Sequence, residues 1–205
     1  MSNWGLRYRP LLIGTGIVNA RVNEPGTIGL FGQDGDGHLW LISCYHVLCD
    51  SGLGPYVQDD PIYQPAAAVA GNQVATTRAT KAARDLDCAA AIVQPGIAAM
   101  QRALGLGDIR GLIAPRAGMR VAKVGAVGGL TEGVIVQIPD STVTIRADPS
   151  FPPEYGLSLP GDSGAVWIEQ ETGGVVALHR GMSTPQMAVA VAIEAVLARL
   201  QLVPL

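Results

Sequence analysis

Ser163 lies in Leu159-Pro160-Gly161-Asp162-Ser163-Gly164-Ala165-Val166-Trp167, where glycines bracket a serine between an extended segment and an apolar run. That spacing bends the backbone so that N–H groups converge on one point. Such a turn presents a hydroxyl nucleophile and, with the N–H groups of Gly161 and Ser163, a hole for an oxyanion. An ordinary Gly-rich loop has the same letters, so acyl chemistry requires a base and an acid elsewhere in the chain. The histidines are His38, His46 and His179. His38 follows a turn. His46 stands where an apolar strand stops, and a strand end holds an imidazole in one place. Asp87 opens the run Cys88 to Val93, which must be buried. A carboxylate at that lip is costly without a donor, and an imidazole N–H supplies one. Asp85 would face the same side and is its rival; Asp87 is preferred because it abuts the buried run.

The elements that must position these residues read as short strands and turns. Thr27 to Phe31 and His38 to Ser43 form a hairpin around Asp34-Gly35-Asp36-Gly37, a strong turn signal. The second strand runs straight into Cys44-Tyr45-His46. Pro61 to Pro65 reads as a short edge strand, and Cys88 to Val93 as a buried one. Residues 97–105, IAAMQRALG, have helical composition and are expected to connect two halves. Further strands are expected at Met119 to Val124, Gly133 to Ile138, Thr142 to Arg146, Gly164 to Glu169 and Val175 to His179. Residues 187–200 start as a strand and become a helix from about Ile193.

Composition agrees with this β-rich reading. The 205 residues are 48% hydrophobic and 15% charged, enough for a sizeable core in one domain of two lobes. The 26 glycines and 14 prolines are scattered between short apolar runs, which favours turns over a helical bundle. A net charge of −3 leaves no footprint for nucleic acid or an anionic membrane, and no stretch is long and apolar enough to span a bilayer. No export signal is evident, so Cys44, Cys49 and Cys88 read as reduced, buried thiols of a cytoplasmic protein. No metal or cofactor is expected.

The order His46, Asp87, Ser163 separates the serine-hydrolase architectures. An α/β-hydrolase needs Gly-x-Ser-x-Gly, with serine before acid and histidine; here residue 165 is Ala. Histidine, aspartate, serine is the chymotrypsin order. At these residues the chain resembles the trypsin-like serine peptidases. Within them it is similar to a short bacterial, intracellular-type branch related to the trypsin-like domain of the plant Narrow leaf 1 proteins. The resemblance rests on Gly26-Thr27-Ile28-Gly29, Ser43 to Leu48, Asp87-Cys88-Ala89-Ala90, Lys123-Val124-Gly125 with Gly129 to Gly133, and Pro160 to Gly164.

The resemblance implies two six-stranded antiparallel β-barrels, chymotrypsin-like, with a C-terminal helix. The first barrel is placed at residues 10–96 with His46 and Asp87, the second at 108–190 with Ser163, and the helix at 191–202, all within one domain of 1–205. It implies a serine endopeptidase acting on proteins or peptides through an acyl-enzyme. A narrow target range or a regulatory partner protein would restrain it. A catalytically silent binding module and an esterase are the alternatives. The primary pocket would lie between Leu157, Ser158 and Leu159 on one side and Ala177, Leu178 and His179 on the other. No acid stands where trypsin-type enzymes place theirs, so a small or apolar P1 residue is expected. His179 with Arg180 would instead favour an acidic one, unless His179 packs at a strand end and Arg180 points to solvent. Secreted relatives pair the aspartate equivalent to Asp162 with a newly cut N-terminus; nothing here resembles that cut, so Asp162 needs another partner.

Overall fold

The computed structural model describes residues 2–50, 59–150 and 156–205. The first half contains Leu11–Ile13 (β1), Gly16–Asn19 (β2), Pro25–Thr27 (β3), Leu30–Gln33 (β4), Leu39–Ser43 (β5) and one helical turn, Tyr45–Leu48 (α1). Pro61–Tyr63 (β6), Gln73–Ala83 (β7), Cys88–Val93 (β8), Ala99–Ala103 (β9) and Gly107–Asp108 (β10) follow. The second half contains Arg120–Gly125 (β11), Gly129–Gln137 (β12), Thr142–Ala147 (β13), Val166–Glu169 (β14), Val175–Thr184 (β15) and Met187–Ala192 (β16). The helix Ile193–Leu200 (α2) and Val203–Pro204 (β17) end the chain.

The second lobe is a closed six-stranded antiparallel barrel, β11-β12-β13-β16-β15-β14. The first lobe is a curled sheet of eight strands, β17-β4-β5-β8-β7-β6-β2-β3, in which the C-terminal β17 pairs with β4. A small sheet, β1-β9-β10, completes the set. The molecule is thus all-β in two lobes with a short C-terminal helix, as expected.

Two local expectations are corrected. Residues 99–103 form a strand, not a helix, pairing in parallel with β1 so that Leu11 lies opposite Ala99. Alanine-rich composition favours helix only weakly, and a neighbouring edge overrides it. Gln101 takes part in that override: its side chain accepts from the Phe31 N–H at 3.3 Å and donates to the Phe31 carbonyl at 2.8 Å. β6 is not an edge strand, because it lies between β7 and β2.

The lobes join through a shared core. In β14 and its partner β15, Trp167, Val176 and Ala177 fill the barrel, while Val166, Ile168, Val175 and Leu178 join the core of the first lobe. Alternate side chains point to opposite faces of a strand, and here both faces are covered. This explains why Val166, Trp167 and Ile168 of β14 are all buried. α2 adds Ile193, Val196, Leu197 and Leu200 to the same core, one stripe of an amphipathic helix. The serine turn opens directly into β14, at this junction.

Candidate active site

His46 sits on α1, the single turn that follows β5. Its position is set by β5, whose residues Trp40 to Ser43 pair with Ile92 to Ala89 of β8. Asp87 immediately precedes β8, so this pairing brings the two residues to the same end of the sheet. Asp87 adopts a left-handed backbone, φ 50°, at the end of a turn closed by its own N–H on the Arg84 carbonyl. Aspartate tolerates that conformation better than most residues. Its carboxylate meets His46 Nδ1 at 2.8 and 3.0 Å and also accepts the His46 backbone N–H at 3.0 Å. Burial works against the Asp87 charge. The hydrogen bonds and charge of His46, together with Arg180, outweigh it and hold the carboxyl below its usual pKa. With Nδ1 donating to Asp87, Nε2 is the free basic position. Asp85, the rival, pairs instead with Arg199 at the surface.

Ser163 comes from the other lobe. It lines one cleft of about 330 Å³ with His46, Val47, Glu24, Pro25, Pro160 and Gly161. Its hydroxyl donates to the Arg180 carbonyl at 3.2 Å and makes no hydrogen bond to His46. Contacts of this kind are often loose without substrate.

The serine turn is best read by following its backbone polar groups. Asp162 N–H bonds the Leu159 carbonyl, Ala165 N–H the Asp162 carbonyl, and Gly164 N–H the His179 carbonyl. The Ser163 carbonyl accepts from Thr27 N–H at 2.9 Å and the Gly161 carbonyl from Thr27 Oγ1 at 2.8 Å. Leu159 N–H bonds the Asp162 side chain at 3.0 Å. Among the described residues, the N–H groups of Gly161 and Ser163 meet no acceptor. Gly161 and Gly164 have φ of 103° and 92°, a conformation glycine adopts freely. A Cβ at Gly164 would also overlap the Ser43 hydroxyl.

The partner of Asp162 is Lys123 from β11. The ammonium lies 3.4 Å from the carboxylate and both side chains are wholly buried. The N–H groups of Val127 and Gly128 complete the cage, at 3.1 and 2.8 Å. Burial, opposed by Asp162, leaves the Lys123 pKa below its usual value. A side chain at Gly125 or Gly128 would collide with the Asp162 carboxylate, which accounts for glycine at both positions. Lys123 Nζ also stands 5.4 Å from the centre of the Trp167 ring.

Leu157, Ser158, Ala177, Leu178 and His179 are all buried, and Leu159 half-buried. His179 packs edge-on to Trp167, and its Nε2 meets Ser158 Oγ at 2.8 Å while Nδ1 has no partner. Burial, then the charges of Lys123 and His46, push its pKa well below the usual value, so the ring is neutral. Arg180 does not simply point to solvent. Its Nε donates to Asp87 at 3.4 Å, putting a cation beside the candidate acid.

The three cysteines are buried free thiols. Burial, with neighbouring acidic charge, pushes Cys49 and Cys88 up to about 12 and Cys44 higher than usual. Among the described residues two groups have metal-ligand chemistry, Cys44 with His46 and Asp87, and Asp34 with Asp36 and His38. In the first, His46 Nδ1 and Asp87 bond one another and the Cys44 thiol donates to the His179 carbonyl. In the second, Asp34 accepts from the Asp36 and His38 N–H groups and from the Trp40 ring. Among the described residues no helix is long and apolar enough to cross a membrane.

No protein-family model and no curated protein matches the sequence. Solved structures do match in fold. A Nocardiopsis protease, NAPase, has a TM-score of 0.71 at 12% identity, covering 94% of this chain and 97% of its own. Thermobifida fusca protease A has a TM-score of 0.69 at 14% identity, covering 95% and 98%. A serine protease described as glutamic acid specific, using a histidine triad in substrate binding, has a TM-score of 0.72 at 14% identity, covering 95% and 100%. The fold is that of the chymotrypsin-like serine proteases.

Proposed function

We propose that this chain is a serine endopeptidase in which Ser163 is the nucleophile, His46 the general base and Asp87 the residue that orients it. The observation that carries this reading is the serine turn itself. Among the described residues its N–H groups are paired except those of Gly161 and Ser163, beside a serine that shares a cleft with an Asp87-bound imidazole. His46 Nε2 takes the Ser163 proton as Oγ attacks the scissile carbonyl carbon, then gives it to the departing amine. Asp87 keeps the Nδ1–H tautomer and stabilises the imidazolium. The Gly161 and Ser163 N–H groups hold the oxyanion. Water, activated by the same imidazole, then releases the acyl group and restores Ser163. At rest the hydroxyl donates to the Arg180 carbonyl, so attack begins with its rotation toward His46.

The test is incubation of the protein with a cell lysate followed by mapping of new N-termini, with Ser163→Ala as control. The reading expects new termini that vanish in the variant. Identical termini with both proteins would refute it and favour the catalytically silent binding module. Matched ester and amide substrates separate a peptidase from an esterase.

A second reading concerns the P1 residue. The neutral His179 places Nε2 on Ser158 Oγ. With Nδ1 unpaired, the less costly tautomer has the proton on Nε2, donating to Ser158 and leaving the Ser158 hydroxyl only a long 3.5 Å bond to Leu159 O. That hydroxyl is a ready donor to a carboxylate. The structural neighbour described as glutamic acid specific supports the same direction. A peptide library distinguishes it from a small or apolar P1: faster cleavage after Glu than after Leu or Ala supports the Ser158–His179 pair as an acid-reading wall.

A further inference from the structure

We propose that Thr27 is a positioning residue for the oxyanion hole, its hydroxyl acting as the clamp that aims the Gly161 N–H; this rests on the serine-peptidase reading above. Thr27 is fully buried and belongs to the lobe opposite Ser163. Its polar groups are all engaged at the site. The backbone N–H donates to the Ser163 carbonyl at 2.9 Å, and Oγ1 donates to the Gly161 carbonyl at 2.8 Å. Oγ1 also accepts the Ala126 N–H at 3.0 Å, and the Thr27 carbonyl accepts the Ser43 hydroxyl at 2.8 Å. One residue therefore holds the carbonyls of both cleft-lining residues whose N–H groups meet no acceptor among the described residues.

The two N–H groups depend on it unequally. The peptide that carries the Ser163 N–H has its own anchor, because its carbonyl, that of Asp162, accepts the Ala165 N–H. The peptide that carries the Gly161 N–H joins it to Pro160, and among the described residues no hydrogen bond anchors the Pro160 carbonyl. Its orientation is inherited from the next peptide, whose carbonyl is held by the Thr27 hydroxyl and whose N–H is held by the Leu159 carbonyl. Gly161 has no Cβ to limit rotation about its own bonds. The hydroxyl is thus the lateral restraint on the Gly161 side of the hole. Through Ala126 it is tied to the loop whose Val127 and Gly128 hold Asp162. A donor displaced by about 1 Å from where the oxyanion forms loses much of its effect on the barrier while substrate binding is spared.

The test compares Thr27→Val, which keeps the shape and removes the hydroxyl, with Thr27→Ser, which keeps the hydroxyl. Thr27→Val is expected to lower kcat by about 10- to 100-fold with KM changed less than about threefold. Thr27→Ser should restore kcat to within about threefold. Affinity for a peptide aldehyde, whose adduct uses the hole, should fall in step with kcat/KM. A residue that only supported the fold would lower melting temperature and leave kcat per active site unchanged. That result, or a Thr27→Ser protein as slow as Thr27→Val, overturns the proposal. Thr27→Ala replaces Thr27→Val if the latter does not fold. The backbone amide resonances of Gly161 and Ser163 provide an arm independent of activity. In the hydroxyl-less protein the Gly161 resonance should move and the Ser163 resonance stay; an unmoved Gly161 overturns the clamp. If the wild-type protein neither cleaves peptides nor takes a fluorophosphonate, the peptidase reading fails by itself and the clamp is decided on the Gly161 resonance.

Discussion

Asp162 is held in the interior by Lys123, which faces it, and by three backbone N–H groups that bond its oxygens. Removing one partner of a buried pair leaves the other uncompensated, which typically costs about 3–5 kcal/mol. Lys123→Met should lose stability of that order in a denaturant titration, and Lys123→Met with Asp162→Asn should recover part of it. His179 supplies a residue-scale pH dependence. Its folded pKa lies well below 6.5, so in acid the unfolded chain binds a proton that the folded chain refuses. Its contribution to stability is therefore full at neutral pH and falls as pH drops through the window beneath 6.5, by about 1.4 kcal/mol per pH unit at most. A His179→Leu protein should lack this part of the slope between pH 7 and 5. An unchanged slope would mean that the ring protonates in place. Ser163, His46 and Asp87 were legible because each stands in a local pattern, a bent turn, a strand end or the lip of a buried run. Lys123 and Thr27 were visible only as letters of motifs. Their partners lie 39 and 134 residues away, and only the folded topology joins them.

At the scale of elements, period-2 burial made most strands readable, and the 193, 196, 197, 200 spacing made α2 readable from its first residue. Residues 97–105 misled because alanine, methionine, glutamine and leucine favour helix locally, whereas β1 offers an edge to pair with. Gln101 bonds both backbone groups of Phe31 and so extends that pairing with a side chain. Gln101→Ala should destabilise the protein by roughly 1–3 kcal/mol, since two groups lose a partner. It should leave kcat unchanged, because the side-chain hydrogen bonds of Gln101 go to Phe31 and not to a site residue. A kcat loss larger than the stability loss explains would contradict that separation. The curled sheet of the first lobe was less readable than the closed barrel. Its edge depends on β17, two residues from the far end of the chain that pair back onto β4.

At the scale of the whole molecule, the candidate base and acid come from one lobe and the nucleophile from the other, so the site exists only where the lobes meet. The shared core of Val166, Ile168, Val175 and Leu178 with the first lobe keeps that meeting rigid. Because Lys123 already occupies the Asp162 carboxylate, the serine turn needs no freshly cut N-terminus to hold it. The uncut chain should therefore be competent, and intact mass of the labelled species should equal that of the full chain plus one probe. The most direct measurement is reaction with a fluorophosphonate followed by peptide mapping. The account predicts stoichiometric labelling of Ser163 in the uncut protein, abolished by Ser163→Ala and slowed at least about 10²-fold by His46→Ala. A folded protein that stays unlabelled, or is labelled at another residue, would contradict it.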